Sequence, residues 1–505
     1  MATRSKFKSS IDTLRNVASE LKLVEGMIEL LGWDQQVNMP SKGVDGRAKQ
    51  SAFLSELYHK KLVSKELGIA IKNLESNKEK LELLDRALLR NISHDFKKAI
   101  KIPSELVREI AETASKGQSV WEKAKKDSNF KMFSPYLKKM VDLQIQVCEK
   151  VGYKKSPYDV LLDDYEEGMT EEKLDNLFPK LRDETIKLLD KIKKSKKKTK
   201  KVNLRVPIDK QKEMSKLVLD KIGYDFEAGR KDEAEHPFTV GVAPQDIRIT
   251  THYYEEDFTR ALASTIHECG HALYEQGVDK KLLLTGLDEG ISLGMHESQS
   301  RMWENVIGRS KNFWKYFIPR FKEIHPKFLK GVRINDFLLV LNEVKPSLIR
   351  IFADEVTYNL HIILRYEIEK GLIKKKIKVK DLPEIWNSKM KEYLDIKPKK
   401  DSEGVLQDVH WSSGYIGYFP TYTLGNMYAA QFWHALKKAV KNVDNRIAKG
   451  DLKCVLSWLR KEIHRFGHIY TADELCKKVT GKTLDASFLV KYLNEKCGKL
   501  YGITN

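Results

Sequence analysis

Between residues 263 and 277 the chain reads ASTIHECGHALYEQG. His267 and His271 are four apart, and residues at that spacing lie one turn apart on the same face of an α-helix. Both rings could aim a nitrogen at one metal ion. Glu268, beside the first histidine, is angled towards a water polarised by that ion rather than towards the ion. Bound zinc lowers the pKa of such a water towards about 7, and a nearby carboxylate then takes its proton as it attacks a carbonyl. The H-E-x-x-H pattern therefore has the residue types and spacing of a hydrolytic metal site. The chain carries its own control: His464 and His468 share the spacing, but Arg465 follows the first of them, and that pair reads as a polar helix face.

A catalytic zinc needs a third protein ligand and one open position. The extended motif with a glycine and a third histidine is absent, because Tyr274 stands in place of the glycine and no histidine follows by Val278. The third ligand is then a downstream carboxylate, with Asp288, Glu289, Glu297 and Glu304 as candidates in LDEGISLGMHESQSRMWENVIG. A helix from about Ser292 to Ile307 would put Leu293, His296, Glu297, Ser300 and Glu304 on one face. That polar cluster sits in a helix otherwise fit for burial, and buried polar groups need partners. Glu297 is favoured, against the plain alternative of a surface glutamate.

Positioning these groups requires helices and a little sheet. EEDFTRALASTIHECGHALYEQG reads as one helix, with Glu255, Glu256 and Asp257 at its positive end and Gly277 as its stop. Leu14, Val17, Leu21, Val24, Ile28 and Leu31 recur at steps of three and four, and the same spacing returns around 81–89, 137–147, 174–189, 337–351 and 427–440. VNLRVP (202–207) and HPFTVGVAPQDIRITTHYY (236–254) instead read as strands, with a hairpin turn near Ala243-Pro244-Gln245. Such an edge beside the metal helix could receive an extended peptide as one more strand. The expected fold is mainly α, a helical H-E-x-x-H metallopeptidase with a small sheet beside a deep cleft. No internal repeat or firm boundary divides 1–505, which reads as one domain, with two lobes around the cleft.

The 505 residues are 41% hydrophobic and 32% charged, ordinary for a globular enzyme, and no apolar run is long enough for a membrane helix. MATRSKFKSS has no apolar core after its basic residues, unlike a secretory signal. Five cysteines without a CxxC pair fit a reducing compartment, with the cytoplasm as default. The net charge of +20 is mostly lysine, with runs at 191–201 and 373–380. Without interleaved aromatics or arginines these read as solvated lysine, the first as an exposed loop, and no nucleic acid is expected.

Taken together the motifs resemble the carboxypeptidase Taq family of zinc metallocarboxypeptidases. HPF (236–238), Asp246-x-Arg248-x-Thr250-Thr251, HECGH, HESQSR (296–301), IRIFAD (349–354), GVLQDVHW (404–411) and GYFPTYTLGNMYAAQ (417–431) occur in that family's order. LLGWDQ and HRFGHIYTADEL extend the resemblance to both ends. It implies a homodimer that removes single residues from peptides with a free C-terminus, uses zinc (Zn2+), and accepts cobalt (Co2+). By matching motifs His267, His271 and Glu297 would bind the metal and Glu268 would be the base. Two positions depart from related patterns. Arg301 stands where several related peptidases carry an acid behind a metal histidine, so that acid must come from elsewhere, with Glu289 as the suggestion. Gln36 and Val37 stand where Glu-Thr often follows WDQ.

A carboxypeptidase must also grip a carboxylate, for which the planar fork of arginine is suited. Arg350, polar among Ile349, Ile351 and Phe352, needs an anion. That anion is Asp354 four residues on, or, as the resemblance favours, the substrate. Arg248 is a second candidate, with the peptide lying along the strand edge from Arg248 to Thr251. For the oxyanion, DVHWSSGYIGYFPTY supplies His410, Tyr415, Tyr418 and Tyr422, of which the resemblance points to His410 and to Tyr418 and Tyr422. Cys269 is expected to be buried and inert. The alternatives are an oligoendopeptidase on the same scaffold and, in another class, a basic nucleic-acid-binding helical protein.

Overall fold

The computed structural model describes residues 2–503. Among them are twenty α-helices and a single three-stranded sheet, a mainly α architecture. The helix Phe258–Glu275 begins where the side chain of Asp257 accepts the backbone N–H of Thr259, and it ends just before Gly277. Leu293–Arg301 begins under a matching cap, Ser292 accepting from Met295, and runs on as a π-helical segment, Met302–Gly308. These two helices, with Tyr358–Ile373 and Pro420–Ala439, pack into the main core through Ile266, Met295, Leu364 and Met427.

The long N-terminal helix Ala2–Val37 packs with Val44–Leu62, Lys65–Glu75 and Leu83–Ala99 around a separate cluster of Leu14, Leu67, Leu74 and Leu88. Val278, Leu282 and Leu287, from the loop after the histidine helix, close this cluster from below.

The sheet has the order β1-β3-β2, with β1 Lys231–Glu233 parallel to β3 Asp246–Thr251, and β2 Thr239–Ala243 antiparallel to it. The hairpin turn lies at Pro244-Gln245, where Gln245 takes a positive φ of 67°. Three expectations are corrected. VNLRVP is not a strand: it is held by isolated bonds from Val206 N to Glu255 O and from Phe258 N to Leu204 O. The expected helical stretch 337–351 stops at Leu341, because Pro346 biases the chain before it towards extended backbone. Strand β3 is central, paired on both sides, so a peptide cannot add to it, and the sheet edge nearer the histidine helix is β2. No described helix is long and apolar enough to cross a membrane. The Lys-rich run leaves the helix Glu171–Lys193 and continues without regular structure, and all five cysteines are buried and unpaired.

Candidate active site

The histidine helix and the glutamate helix approach closely. A Cβ at Gly270 would lie 2.6 Å from Ser300 Cα, so only glycine fits there. On the other side, a Cβ at Gly425 would lie 2.5 Å from Glu297 Cγ, which brings the helix Pro420–Ala439 against the carboxylate. Between them, His267 Nε2, His271 Nε2 and Glu297 Oε2 form a triangle with sides of 3.3, 3.5 and 3.4 Å. Three ligands at about 2.05 Å from one ion, spread at tetrahedral angles, would stand about 3.3–3.4 Å apart. Two imidazoles and one carboxylate therefore fit a first-row divalent metal with a fourth position left open.

Each side chain of the triangle is held from behind. Glu304 Oε2 accepts from His267 Nδ1 at 2.9 Å, and its two oxygens are braced by Arg301 and Arg309. His271 Nδ1 lies 2.8 Å from His296 Nδ1, and His296 Nε2 bonds to Glu275. The only proton arrangement that leaves His271 Nε2 a free lone pair has His271 donating to His296 and His296 donating to Glu275. Glu297 Oε1 accepts from Arg301 Nε at 2.6 Å. Burial opposes ionisation of Glu297, but Arg301 and His267 overcome it and hold its carboxyl well below the usual range.

Glu268 is 7% exposed, and its Oε2 accepts from the Thr239 hydroxyl at 2.7 Å. The end of β2 thus aims this carboxylate, and burial raises its pKa. Cys269 is fully buried, and that burial pushes its thiol up, away from thiolate chemistry.

A second cluster lies beyond Tyr358, whose ring sits 4.9 Å from Arg301 and whose hydroxyl accepts from Arg350 Nη1 at 2.9 Å. The partner of Arg350 is Asp408, at 2.8 Å, and not Asp354, which caps the turn at Val356 and Thr357. Arg365, wholly buried, binds the other oxygen of Asp408. Burial would raise Asp408, yet Arg365 and Arg350 hold it well below the usual carboxylate range. Two guanidiniums thus share one buried carboxylate, leaving one positive charge walled by Tyr422 and Phe419. His410 Nε2 is 3.3 Å from the Tyr422 hydroxyl, and the rings of Tyr418 and Tyr422 are 5.4 Å apart. Burial pushes His410 down to about 4, so the ring is neutral at pH 7 and can donate one hydrogen bond. The loop between them is pinned by Glu369, which accepts from Tyr158, Trp411 and the Gly417 N–H. Tyr415 is half-exposed at the rim.

Other candidates lie elsewhere. Asp288 caps the Leu284 N–H, and Glu289 binds Lys22 and His468, so neither is a ligand and Glu289 is not the supporting acid. That acid is Glu304. His464 and His468 are not a polar helix face: a 3-10 turn and Gly467 separate them, and His464 is buried against Gln299. Arg248 donates Nε and Nη2 to Asp246 and lies over Trp33, 4.2 Å from its ring. Glu275, His296 as a support, Thr239, Tyr358, Arg365 and Asp408 were not foreseen. Glu275 had a signal, since 267, 271 and 275 form one stripe of the helix.

Residues 13–497 match the family model described as carboxypeptidase Taq (M32) metallopeptidase. The chain is 40% identical over 475 residues to thermostable carboxypeptidase 1 of Pyrococcus furiosus, covering 92% of this chain and 94% of that protein. To carboxypeptidase 1 of Bacillus subtilis it is 39% identical over 489 residues, 94% and 95% of the two chains. The crystal structure of an M32 carboxypeptidase from Deinococcus radiodurans R1 superposes with a TM-score of 0.94 at 36% identity, covering 98% of this chain and all of that one.

Proposed function

The chain belongs to the carboxypeptidase Taq (M32) metallopeptidase family, and from that premise we propose how its own residues perform metal-dependent carboxypeptidase chemistry. His267, His271 and Glu297 would hold zinc, with cobalt able to substitute. When bound, the metal supplies a Lewis acid that polarises the scissile carbonyl and makes water nucleophilic near neutral pH. Glu268, aimed by Thr239, takes a proton from the attacking water and passes it to the departing amine. His410 donates a hydrogen bond to the oxygen that becomes negative, assisted by the phenols of Tyr418 and Tyr422. The uncompensated charge of Arg350 and Arg365 around Asp408 receives the substrate's terminal carboxylate. Arg248 keeps Nη1 for the upstream peptide, which runs along the β2 side of the sheet.

The observation that carries exopeptidase action is the charge balance at Asp408. A buried excess cation beside the metal triangle gains from a terminal carboxylate and gains nothing from an internal, uncharged peptide bond. We further read 1–505 as one domain with two lobes and the protein as a homodimer working on free peptides in the cytoplasm. The buried, unpaired thiols support the compartment, and the family resemblance supports the dimer.

The test is hydrolysis of an N-blocked tripeptide and its C-terminal amide, with and without chelator. Release of one amino acid from the free acid alone is expected, abolished by chelator. Glu268→Gln is expected to lower kcat by about 10²–10⁴ with metal still bound. Equal cleavage of acid and amide would overturn the role of Arg350 and favour an oligoendopeptidase.

A further inference from the structure

Behind the helices that carry His267, His271 and Glu297, on a face that contains none of the proposed catalytic residues, lies a cavity of about 870 Å³. Nine Lys or Arg residues line it against three Asp or Glu. Its walls come from the loop after the helix Glu171–Lys193, the end of the π-helical segment, the helix Ile334–Leu341 and the C-terminal helix Ser487–Tyr501. Four of the cations are already neutralised at short range: Arg309 by Glu304, Arg333 by Asp336, Lys437 by Asp444 and Lys496 by Glu355. Lys197, Lys198, Lys200, Lys311 and Lys499 make no ion pair among the described residues. The chain is lysine-rich throughout, but here lysines from separate stretches converge on one hollow, where their fields add and fewer waters screen them.

The cavity is more than a basic patch. Arg309 and Asn342 stand on its wall as well, although the unpartnered Arg309 Nε–H and Asn342 Oδ1 are closed off from the hollow itself. Val306, Leu338, Leu339 and the Trp433 ring supply an apolar wall. A ligand that matches both the lysines and this wall carries two or more anionic groups and a flat or apolar body. Its volume is within the range of small-molecule sites.

We propose that this cavity is a binding site for an organic polyphosphate of the nucleoside diphosphate kind, separate from the peptide cleft. The phosphates take the Lys197–Lys200 stretch of wall and Lys311, while the base lies against the apolar side. Arg309, on the cavity wall, donates Nη2 to Glu304, the residue behind His267, so one guanidinium stands between the two sites.

The experiment is equilibrium dialysis of labelled ADP against the metal-loaded full-length protein at about 0.15 M salt, where weak surface attraction is screened. Saturable binding of about one ADP per chain in the micromolar range is expected. K198Q/K200Q/K311Q should weaken it at least about tenfold, with the melting temperature checked to show that the variant folds. K376Q/K378Q/K380Q removes as many charges from an exposed stretch outside the cavity and should leave the affinity unchanged. Pyrophosphate should bind at least about tenfold more weakly than ADP. Absence of saturable binding below millimolar ADP, or equal weakening by both triple substitutions, overturns the site. Pyrophosphate binding as tightly as ADP overturns the organic ligand. None of these readouts depends on peptide hydrolysis.

Discussion

Glu304 grips the far nitrogen of His267 at 2.9 Å and so decides which nitrogen of that ring is left for a metal. Arg301 and Arg309 keep its carboxylate charged, which makes the ring a better ligand. Glu304→Ala is therefore expected to lower metal affinity by about 10–100-fold, read by competition with a chromogenic chelator. Asp288→Ala, at a buried carboxylate that only caps a turn, should leave that affinity unchanged. Equal affinities in the two variants would remove Glu304 from the site. At this scale the helix spacing exposed His267, Glu268 and His271 directly, because one turn of α-helix brings i and i+4 together. Glu297 and Glu304 were both visible and Glu297 was favoured as the ligand, but the part played by Glu304 was not, since seven residues return to the same helix face. Which of them faces the metal and which faces the back of a ring depends on the second helix. Asp408 lay inside the motif GVLQDVHW, yet its contact with Arg350 and Arg365 joins distant parts of the chain that no periodicity relates.

The elements that carry these residues are set by close approach more than by propensity. Gly270 lets the helices that carry His267, His271 and Glu297 touch through their backbones, with a virtual Cβ only 2.6 Å from Ser300 Cα and 2.8 Å from Gln299 O. Backbone cannot swing aside as a flexible side chain can. Gly270→Ala should thus push His267 and His271 away from Glu297, costing about 1–3 kcal/mol of stability and loosening the metal. The check is a lower denaturation midpoint together with faster metal loss to chelator; a stable variant with unchanged metal retention would show that the helices tolerate separation. The helices and the Pro244 turn were legible because caps, stops and the apolar period coincide there. The sheet was less so. β1 is the polar triplet Lys-Asp-Glu, which carries no strand pattern, and VNLRVP carries one but finds no partner strand. The π-helical segment Met302–Gly308 has no compositional mark that sets it apart from the α-helix before it.

Across the whole molecule, the N-terminal helices have their own apolar cluster and must be held onto the body that carries the metal site. One tie is polar and titrates. His94, on the helix Leu83–Ala99, bonds through Nε2 to Asp163 at 2.6 Å and through Nδ1 to Asp95 at 3.1 Å. These hydrogen bonds raise the imidazole from its ordinary value to about 10, against the pull of burial, while Asp163 is lowered. A folded-state pKa above the unfolded one means that the tie is fully present below about pH 6.5 and fades as pH rises through about 10. Both partners are about one-third exposed, so solvent limits the pair to roughly 1 kcal/mol, well short of what such a shift would mean in a dry interior. His94→Gln is accordingly expected to lower the melting temperature at pH 6 and to match the unsubstituted protein above pH 10. The pair of melting curves, taken at intervals between those limits, is the measurement. A difference independent of pH would assign His94 a packing role and leave the N-terminal helices to the apolar cluster and to ties such as Lys22–Glu289 and Asn91–His468.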